Sequence, residues 1–469
     1  MAVANEKNKN IEVITGEPKK AIRKLSWPMM ISMLLIMLYN IADSIWVAGL
    51  GSDALAAIGF ITPLFMILVG LGNGLGAGAN SLIARYIGAD NTAQANNSAL
   101  HAIILSVIIS LVFTVIMEIF MKPILILMGA GSSINYGLEY GYIIFGALLV
   151  FVYSGVASAI FRSEGDMKRS TYAIAVTSIL NIILDPIFIY ILHMGIAGAA
   201  WATVISATMS CIIMSYWFWV KKDLYLDLNF KNFNYQNKIV KDTFLVAVPS
   251  TLETVIFSIL GITINLMLSI VAGIAQVGVY TAAMRIVQLA MIPLMGIGTA
   301  EITVSGVAYG ARSYKNLKIS HTYSIKLGFL LSIILGAIMV IFSKQIALLF
   351  SYTSASASLA PKIATAVSIL SLFVLAVPHG IMSSMMFQGV GKGINSLIIT
   401  VLRSLILESV CAYLLCFTFG FGLIGIYAGV VLGCFLGGTV GYIWAKLFLK
   451  DYKKELDNKY GNQNTCENS

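Results

Sequence analysis

Two polar residues interrupt an apolar stretch long enough to cross a membrane. In the run from Leu180 to Leu192, Asn181 and Asp185 stand among Leu, Ile and Phe. Positions four apart share a helix face, so both side chains point the same way, and Pro186 frees a backbone carbonyl one turn earlier. The product is a cluster of oxygens, which is chemistry suited to a cation or a proton. An Asp at the centre of a spanning helix costs about 2.5–3.5 kcal/mol on insertion scales, so such residues face a bundle interior or an aqueous cavity and mark ion paths. A structural Asp satisfied by a neighbouring helix is the plainer alternative. A second group sits between Trp27 and Trp46: Tyr39 and Asp43 share a face with Asn40 beside them, and Pro28 permits a bend. Thr203, in a later apolar segment, can add a hydroxyl to the Asn181/Asp185 cluster, although Thr also commonly bonds its own helix.

The elements that must position these residues are membrane helices. Of the 469 residues 58% are hydrophobic and only 11% charged, against about 25% charged in soluble domains, and mean hydropathy is +0.88. A soluble core is excluded. Twelve segments can span, at approximately 25–49, 57–83, 97–120, 137–161, 170–192, 196–220, 244–272, 278–308, 322–343, 363–388, 396–419 and 423–446. With the N-terminus in the cytoplasm, 25 of the 30 Lys and Arg fall on that side, so both termini are expected there. The net charge of +9 is therefore a topology signal and not a nucleic-acid footprint. The first 24 residues are polar, so no cleavable signal peptide is expected.

The chain also repeats. Phe161–Ser170 aligns with Phe387–Ser396 at an offset of 226, Gly198 with Gly425, Gly88 with Gly310 and Pro28 with Pro249. The expected organisation is a cytoplasmic tail (1–24), a six-helix bundle (25–220), a Lys-rich cytoplasmic linker (221–243), a second six-helix bundle (244–446) and a cytoplasmic tail (447–469). Even spans per half imply a pseudo-twofold axis along the membrane normal.

Other charges lie near or within spans: Glu253, Arg285, Glu301, His379, Arg403 and Glu408 in the second half. Unpaired charges there are costly, so Arg285 and Arg403 are expected to pair with Glu301, Glu408 or Glu253. His379 follows Pro378 and offers a titratable group on a kinked helix; a structural His fits equally. Arg162, Glu164, Asp166, Lys168 and Arg169 read as a solvated loop with local ion pairs or as a gate. Alternate glycines from Gly70 to Gly78 lack the Lys and Ser/Thr of a phosphate loop and point to close helix packing. The five cysteines show no metal or disulfide spacing, and no hydrolytic or nucleotide-binding motif emerges.

Several stretches together resemble one family over nearly the whole chain, the multidrug and toxin extrusion transporters. They are Asp43-Ser-Ile-Trp-Val-Ala-Gly-Leu-Gly51 with Leu55-Ala-Ala57, Ser81-Leu-Ile-Ala-Arg85 with Gly88-Ala89, Arg162-Ser-Glu-Gly-Asp166, and Asn181-Ile-Ile-Leu-Asp-Pro186. Asp43 with Asn181 and Asp185 resembles the branch related to the DNA-damage-inducible F and archaeal transporters. The resemblance implies an all-α integral membrane protein of 12 transmembrane helices, two six-helix bundles in a V around a central cleft. It implies a proton or Na⁺ site at Tyr39, Asp43, Asn181, Asp185 and Thr203, with Pro28 and Pro186 as bend points and Glu164 as a loop acid acting in gating. One departure is that Glu253 lies about one turn early for the seventh-span Glu of the other main branch, and Pro378-His379 replaces its tenth-span Asp. The implied activity is antiport of amphipathic, mostly cationic compounds against H⁺ or Na⁺ across the plasma membrane; a 6+6 pseudo-dimer completes its own cleft, so a functional monomer is expected. No enzyme activity, no cofactor beyond the coupling ion and no nucleic-acid partner is expected. A lipid-linked oligosaccharide flippase is the alternative, and an integral-membrane lipid-modifying enzyme a third.

Overall fold

The computed structural model describes residues 2–349 and 359–460; Cys466 of the polar tail lies outside them. Among the described residues there is no β-strand, and ten helices are long and apolar enough to cross a membrane, or twelve when two bent pairs each count as one span. A bilayer leaves no water for backbone groups, so this all-helical solution follows from composition. The helices are α1 (Ala2–Thr15), α2 (Pro18–Ala48), α3 (Ser52–Gly88), α4 (Thr92–Leu127), α5 (Ile134–Gly146), α6 (Leu148–Ser163), α7 (Met167–Pro186) and α8 (Gly195–Ser215). They continue with α9 (Asn237–Ala272), α10 (Ile274–Gly310), α11 (Tyr314–Ile341), α12 (Ser343–Leu349), α13 (Ala360–Ala376), α14 (Pro378–Gly389), α15 (Gly393–Thr400), α16 (Glu408–Tyr413) and α17 (Gly422–Tyr460).

Two compact units emerge: 1–16 with 27–251, and 17–26 with 252–469. Neither terminal segment is simply an irregular tail, because α1 and the last turns of α17 are helical.

The repeat seen in sequence recurs as local geometry in each unit. Gly88 and Gly310 each end a helix; Asp90 and Arg312 follow in the left-handed region (φ 56° and 54°), and Asn91 and Ser313 then cap the next helix. Gly165 and Gly391 share φ 81°. The fourth and tenth spans are both broken, α5 to α6 by 46° and α13 to α14 by 42°. The fifth and eleventh both loosen into π-helical turns at corresponding places, Ile187–Ile191 and Leu414–Thr418. Gly198 and Gly425 back onto those turns so closely that a Cβ would lie 2.6 Å from Phe188 C and from Leu415 O respectively.

The glycine run packs α3 on two sides. A Cβ on Gly72 would lie 3.2 Å from Val152 Cα and one on Gly76 3.1 Å from Gly155 O, both on α6. Added to Gly74 it would lie 2.6 Å from Ala247 O, and on Gly78 it would strike the Thr243 carbonyl, both on α9. Thr251 Oγ1 donates to Gly70 O across the same contact (3.1 Å). Gly59, earlier on α3, has nothing within 4 Å of its would-be Cβ. We therefore expect Gly74→Val to destabilise the protein by about 1–3 kcal/mol or more through overpacking, seen as a lower melting temperature in detergent, while Gly59→Ala leaves it unchanged.

Candidate functional site: an oxygen cluster within the first unit

Helices α2 and α7 run side by side and are tied at both ends. Toward one end the Pro28 carbonyl accepts from Thr171 Oγ1 (2.9 Å), and Ser32 Oγ donates to the same Thr171 oxygen (2.8 Å). Toward the other, Tyr190 donates to Trp46 O (2.6 Å) and its ring meets Trp46 edge-on at 6.2 Å. Asp43 comes fifteen positions after Pro28 and Asp185 fourteen after Thr171. At a rise of about 1.5 Å per residue the two carboxylates reach similar heights on parallel helices.

Between the ties lies the polar cluster. Asn181 Nδ2 donates both protons, to Asp185 Oδ1 and to Thr203 Oγ1, each at 3.2 Å. Thr203 spends its own proton on Ala199 O (3.0 Å). Asn181 and Asp185 are buried, and Asp43 is half-buried. The Asn181 amide and the Thr203 hydroxyl are thus used as donors, while Asp43 Oδ1, Asn181 Oδ1 and Asp185 Oδ2 are buried and accept no hydrogen bond. Three such acceptors are unfavourable together unless something positive or protic joins them. The charges of Asp43 and Asp185 act on each other. Tyr39 lies in the field of Asp43. Pro186 ends the regular part of α7 and the wider turn after it carries Tyr190 to its tie.

Tyr140 joins the same cluster, buried on α5 within the fields of Asp43, Asp185 and Tyr39. Sequence reasoning passed it over because a Tyr in an apolar span carries no spacing signal. Among the described residues no group of three or more His, Cys, Asp or Glu could hold a metal; the oxygen donors here are two carboxylates with an amide and a hydroxyl, a set compatible with a hard monovalent cation or a proton.

Glu164 is not a solvated loop acid. It is buried, and its Oε2 accepts from the backbone N–H of Tyr225 (3.1 Å) and Leu226 (3.3 Å) in the linker. That linker is strapped to the first unit: Leu224, Leu226 and Leu228 bury alternate side chains, as extended chain does. Asn97 pairs reciprocally with the Asn234 backbone (2.8 and 3.1 Å), and His101 Nε2 accepts from Gln236 N (3.0 Å). Arg169 bridges Asp166 (3.5 Å) and Asp223 (2.7 Å), and Lys221 reaches Asp223 (2.8 Å). Burial pushes Asp223 up, but Lys221 and Arg169 outweigh it and hold the carboxyl below its ordinary value. At Glu164 burial dominates, helped by Asp166, and lifts the carboxyl to about 8 against the opposing pull of the two N–H donors and Arg169. The alternation Leu-Tyr-Leu-Asp-Leu over 224–228 was the available sequence signal for the strap.

The second-half charges pair differently from expectation. Glu301 Oε1 meets His321 Nδ1 at 2.9 Å, both fully buried, and not an arginine. Glu253 accepts from Ser396 Oγ (2.6 Å) and Gln388 Nε2 (3.4 and 3.3 Å). Arg285 is exposed and makes no ion pair within 4 Å among the described residues. Arg403 is buried near Glu408 and Glu253, whose charges it influences, yet its closest polar contact is Ser404 Oγ (3.4 Å). His379 contacts Phe435 O and Thr439 Oγ1 (3.2 Å each) and stacks on Phe329. A hydroxyl and an amide bond Glu253 and an imidazole bonds one oxygen of Glu301 where a salt bridge would require two desolvations, while Glu301 Oε2 and Glu408 Oε2 are buried without a hydrogen bond.

The ten to twelve helices among the described residues that are long and apolar enough to span are those of a multi-pass membrane protein. The MatE family model matches residues 28–187 and again 249–414, once in each repeat, and the chain belongs to this family of transporters. It is 29% identical to the multidrug export protein MepA of Staphylococcus haemolyticus over 63% of this chain and 65% of that protein. With MepA of Staphylococcus aureus it shares 25% identity over 83% and 85%. Among solved structures it is similar to a MOP superfamily transporter from Pyrococcus furiosus, described as having a binding pocket of reverse polarity that suggests a different function. That match has TM-score 0.92 and 37% identity, covering 95% of this chain and 99% of that one.

The Glu164 carboxyl is protonated more readily in the folded protein, at about 8 against an ordinary 4.5, so its contribution favours the strapped state below pH 4.5 and is lost as pH rises to about 8. We expect proteolysis within 223–236 to accelerate as pH is raised from 5 to 9, and Glu164→Gln to flatten that dependence.

Proposed function

We propose that the protein is a secondary antiporter of the plasma membrane, with both termini cytoplasmic, that exports amphipathic, mostly cationic organic compounds in exchange for inward H⁺ or Na⁺. The observation that carries this reading is the set of three buried oxygens on Asp43, Asn181 and Asp185 that accept no hydrogen bond, beside an Asn181 amide and a Thr203 hydroxyl whose protons are already committed. A proton or Na⁺ satisfies them, and so does an organic cation, which makes occupancy by ion and by substrate mutually competitive at Asp43 and Asp185. An ion entering down the gradient gains about 2.3 kcal/mol per charge per 100 mV, enough to drive export without nucleotide hydrolysis. Thr203 and Asn181 hold Asp185 in place, Tyr39 and Tyr140 line the cluster, and bending of α2 at Pro28 alters the height of Asp43 relative to Asp185. A monomer suffices for this scheme, because all the cluster's residues come from one unit of one chain. A flippase for pyrophosphate-linked lipids calls for a cavity lined with cations; acceptor-rich chemistry supports the export of cations instead.

The test is uptake of a fluorescent organic cation into proteoliposomes with pH and Na⁺ gradients imposed separately. Wild-type protein is expected to respond to one of the gradients. Asp43→Asn and Asp185→Asn should each lower gradient-driven transport by about tenfold or more, the equivalent of about 1.4 kcal/mol of lost coupling, with insertion and melting temperature retained. Unchanged coupled transport in either variant overturns the site assignment.

A further inference from the structure

We propose a second organic-cation seat, in the second unit, formed by an aromatic cage at the C-terminal part of α17 and held in the resting protein by the chain's own Lys392. A cavity of about 410 Å³ opens there, lined by Tyr309, Trp444, Phe448 and Tyr452 together with Asp451 and Glu455. Its volume falls in the range of small-molecule sites. Phe448 and Tyr452 stack with centroids 6.1 Å apart, Tyr452 also meets the Tyr309 ring at 4.9 Å, and its hydroxyl donates to Tyr309 O (3.3 Å). Phe387 backs both Trp444 and Phe448 from the core. Aromatic faces with nearby carboxylates attract cations, quaternary ammonium groups above all.

Two independent observations single out Lys392. Its ammonium lies 4.5 Å from the centroid of Phe448, where the cation of a ligand would sit. The side chain also stands at the wrong place for local structure. Lys392 is the residue at the N-cap of α15, it makes no side-chain cap bond, and a cation is the charge that the positive end of a helix disfavours. The repeat shows what that position ordinarily does. After the matching glycine turn, Asp166 caps α7 by accepting from Arg169 N (3.2 Å). One half keeps the cap, and the other gives it up for a lysine that reaches into an aromatic cage. A local rule broken without a local gain marks a functional position. We read Lys392 as an intramolecular stand-in for cationic ligand, displaced when an organic ammonium binds and raising the concentration at which it does so.

The seat shares no residue with the Asp43/Asp185 cluster, so it is tested where that cluster is disabled. Full-length Asp43→Asn protein in detergent is titrated with radiolabelled tetraethylammonium by equilibrium dialysis, alone and combined with Lys392→Asn or Phe448→Leu. Lys392→Asn restores a capping side chain and vacates the seat. It is expected to tighten saturable binding about fivefold or more while leaving the melting temperature unchanged or higher. Phe448→Leu keeps the apolar volume, removes the π face and should abolish that binding. The proposal is overturned if Lys392→Asn protein shows no saturable binding, if Phe448→Leu binds as tightly, or if Lys392→Asn lowers both affinity and melting temperature, which would make Lys392 a structural strut. Loss of gradient-driven transport in Asp43→Asn with tetraethylammonium binding intact keeps this seat distinct from the coupling site; failure of the binding alone leaves the coupling site standing.

Discussion

The first unit depends on the cost of holding carboxylate oxygens at membrane depth. Asn181, itself anchored on Thr203, donates to one oxygen of Asp185, and the other accepts no hydrogen bond. The cross-ties at Thr171 and Tyr190 keep α2 and α7 in register so that the cluster exists at all. Helix packing around it is close because glycines on α3 admit α6 and α9 to backbone contact. Where side chains cannot gain by leaving water, as in lipid, such contact is a main source of helix association.

The two halves are built from one plan and satisfy their buried charges by different means. Turns, breaks and π-helical stretches recur at matching positions; the turns rest on paired glycines such as Gly165 and Gly391, whereas Pro186 and Pro378 are answered by Ala412 and Val152. The polar chemistry has diverged. The first half leaves acceptors without donors, a state suited to exchanging a cation. The second holds Glu253 with a hydroxyl and an amide and one oxygen of Glu301 with an imidazole, leaves Glu301 Oε2 and Glu408 Oε2 without a hydrogen bond, and carries a cation at its edge in Lys392.

Much of the candidate site was legible before any coordinates. Asn181 and Asp185 announce themselves by being polar at helical spacing in a span, and Asp43 by the same logic. Tyr140 does not, because tyrosine is at home in apolar helices and only proximity gives it a role. The arginine pairings failed for a physical reason: charge counting favours an acid–base pair, whereas a buried acid is satisfied as well by neutral donors without desolvating a second ion. His321 lies near the start of α11, where spacing alone gives it no role, and packing buries it beside Glu301.

By itself the sequence determined the class, the number of spans, the repeat and the identity of the polar residues at depth. Each of these follows from local properties, such as hydrophobic run length, helical period, Lys and Arg placement, and glycine or proline position. Tertiary structure alone decided which oxygens are left without donors, how the linker comes to lie strapped under Glu164, and where Lys392 directs its ammonium. Those depend on distances between residues far apart in the chain. A hydrogen bond changes from present to absent within about half an ångström, a resolution that spacing along a sequence does not carry.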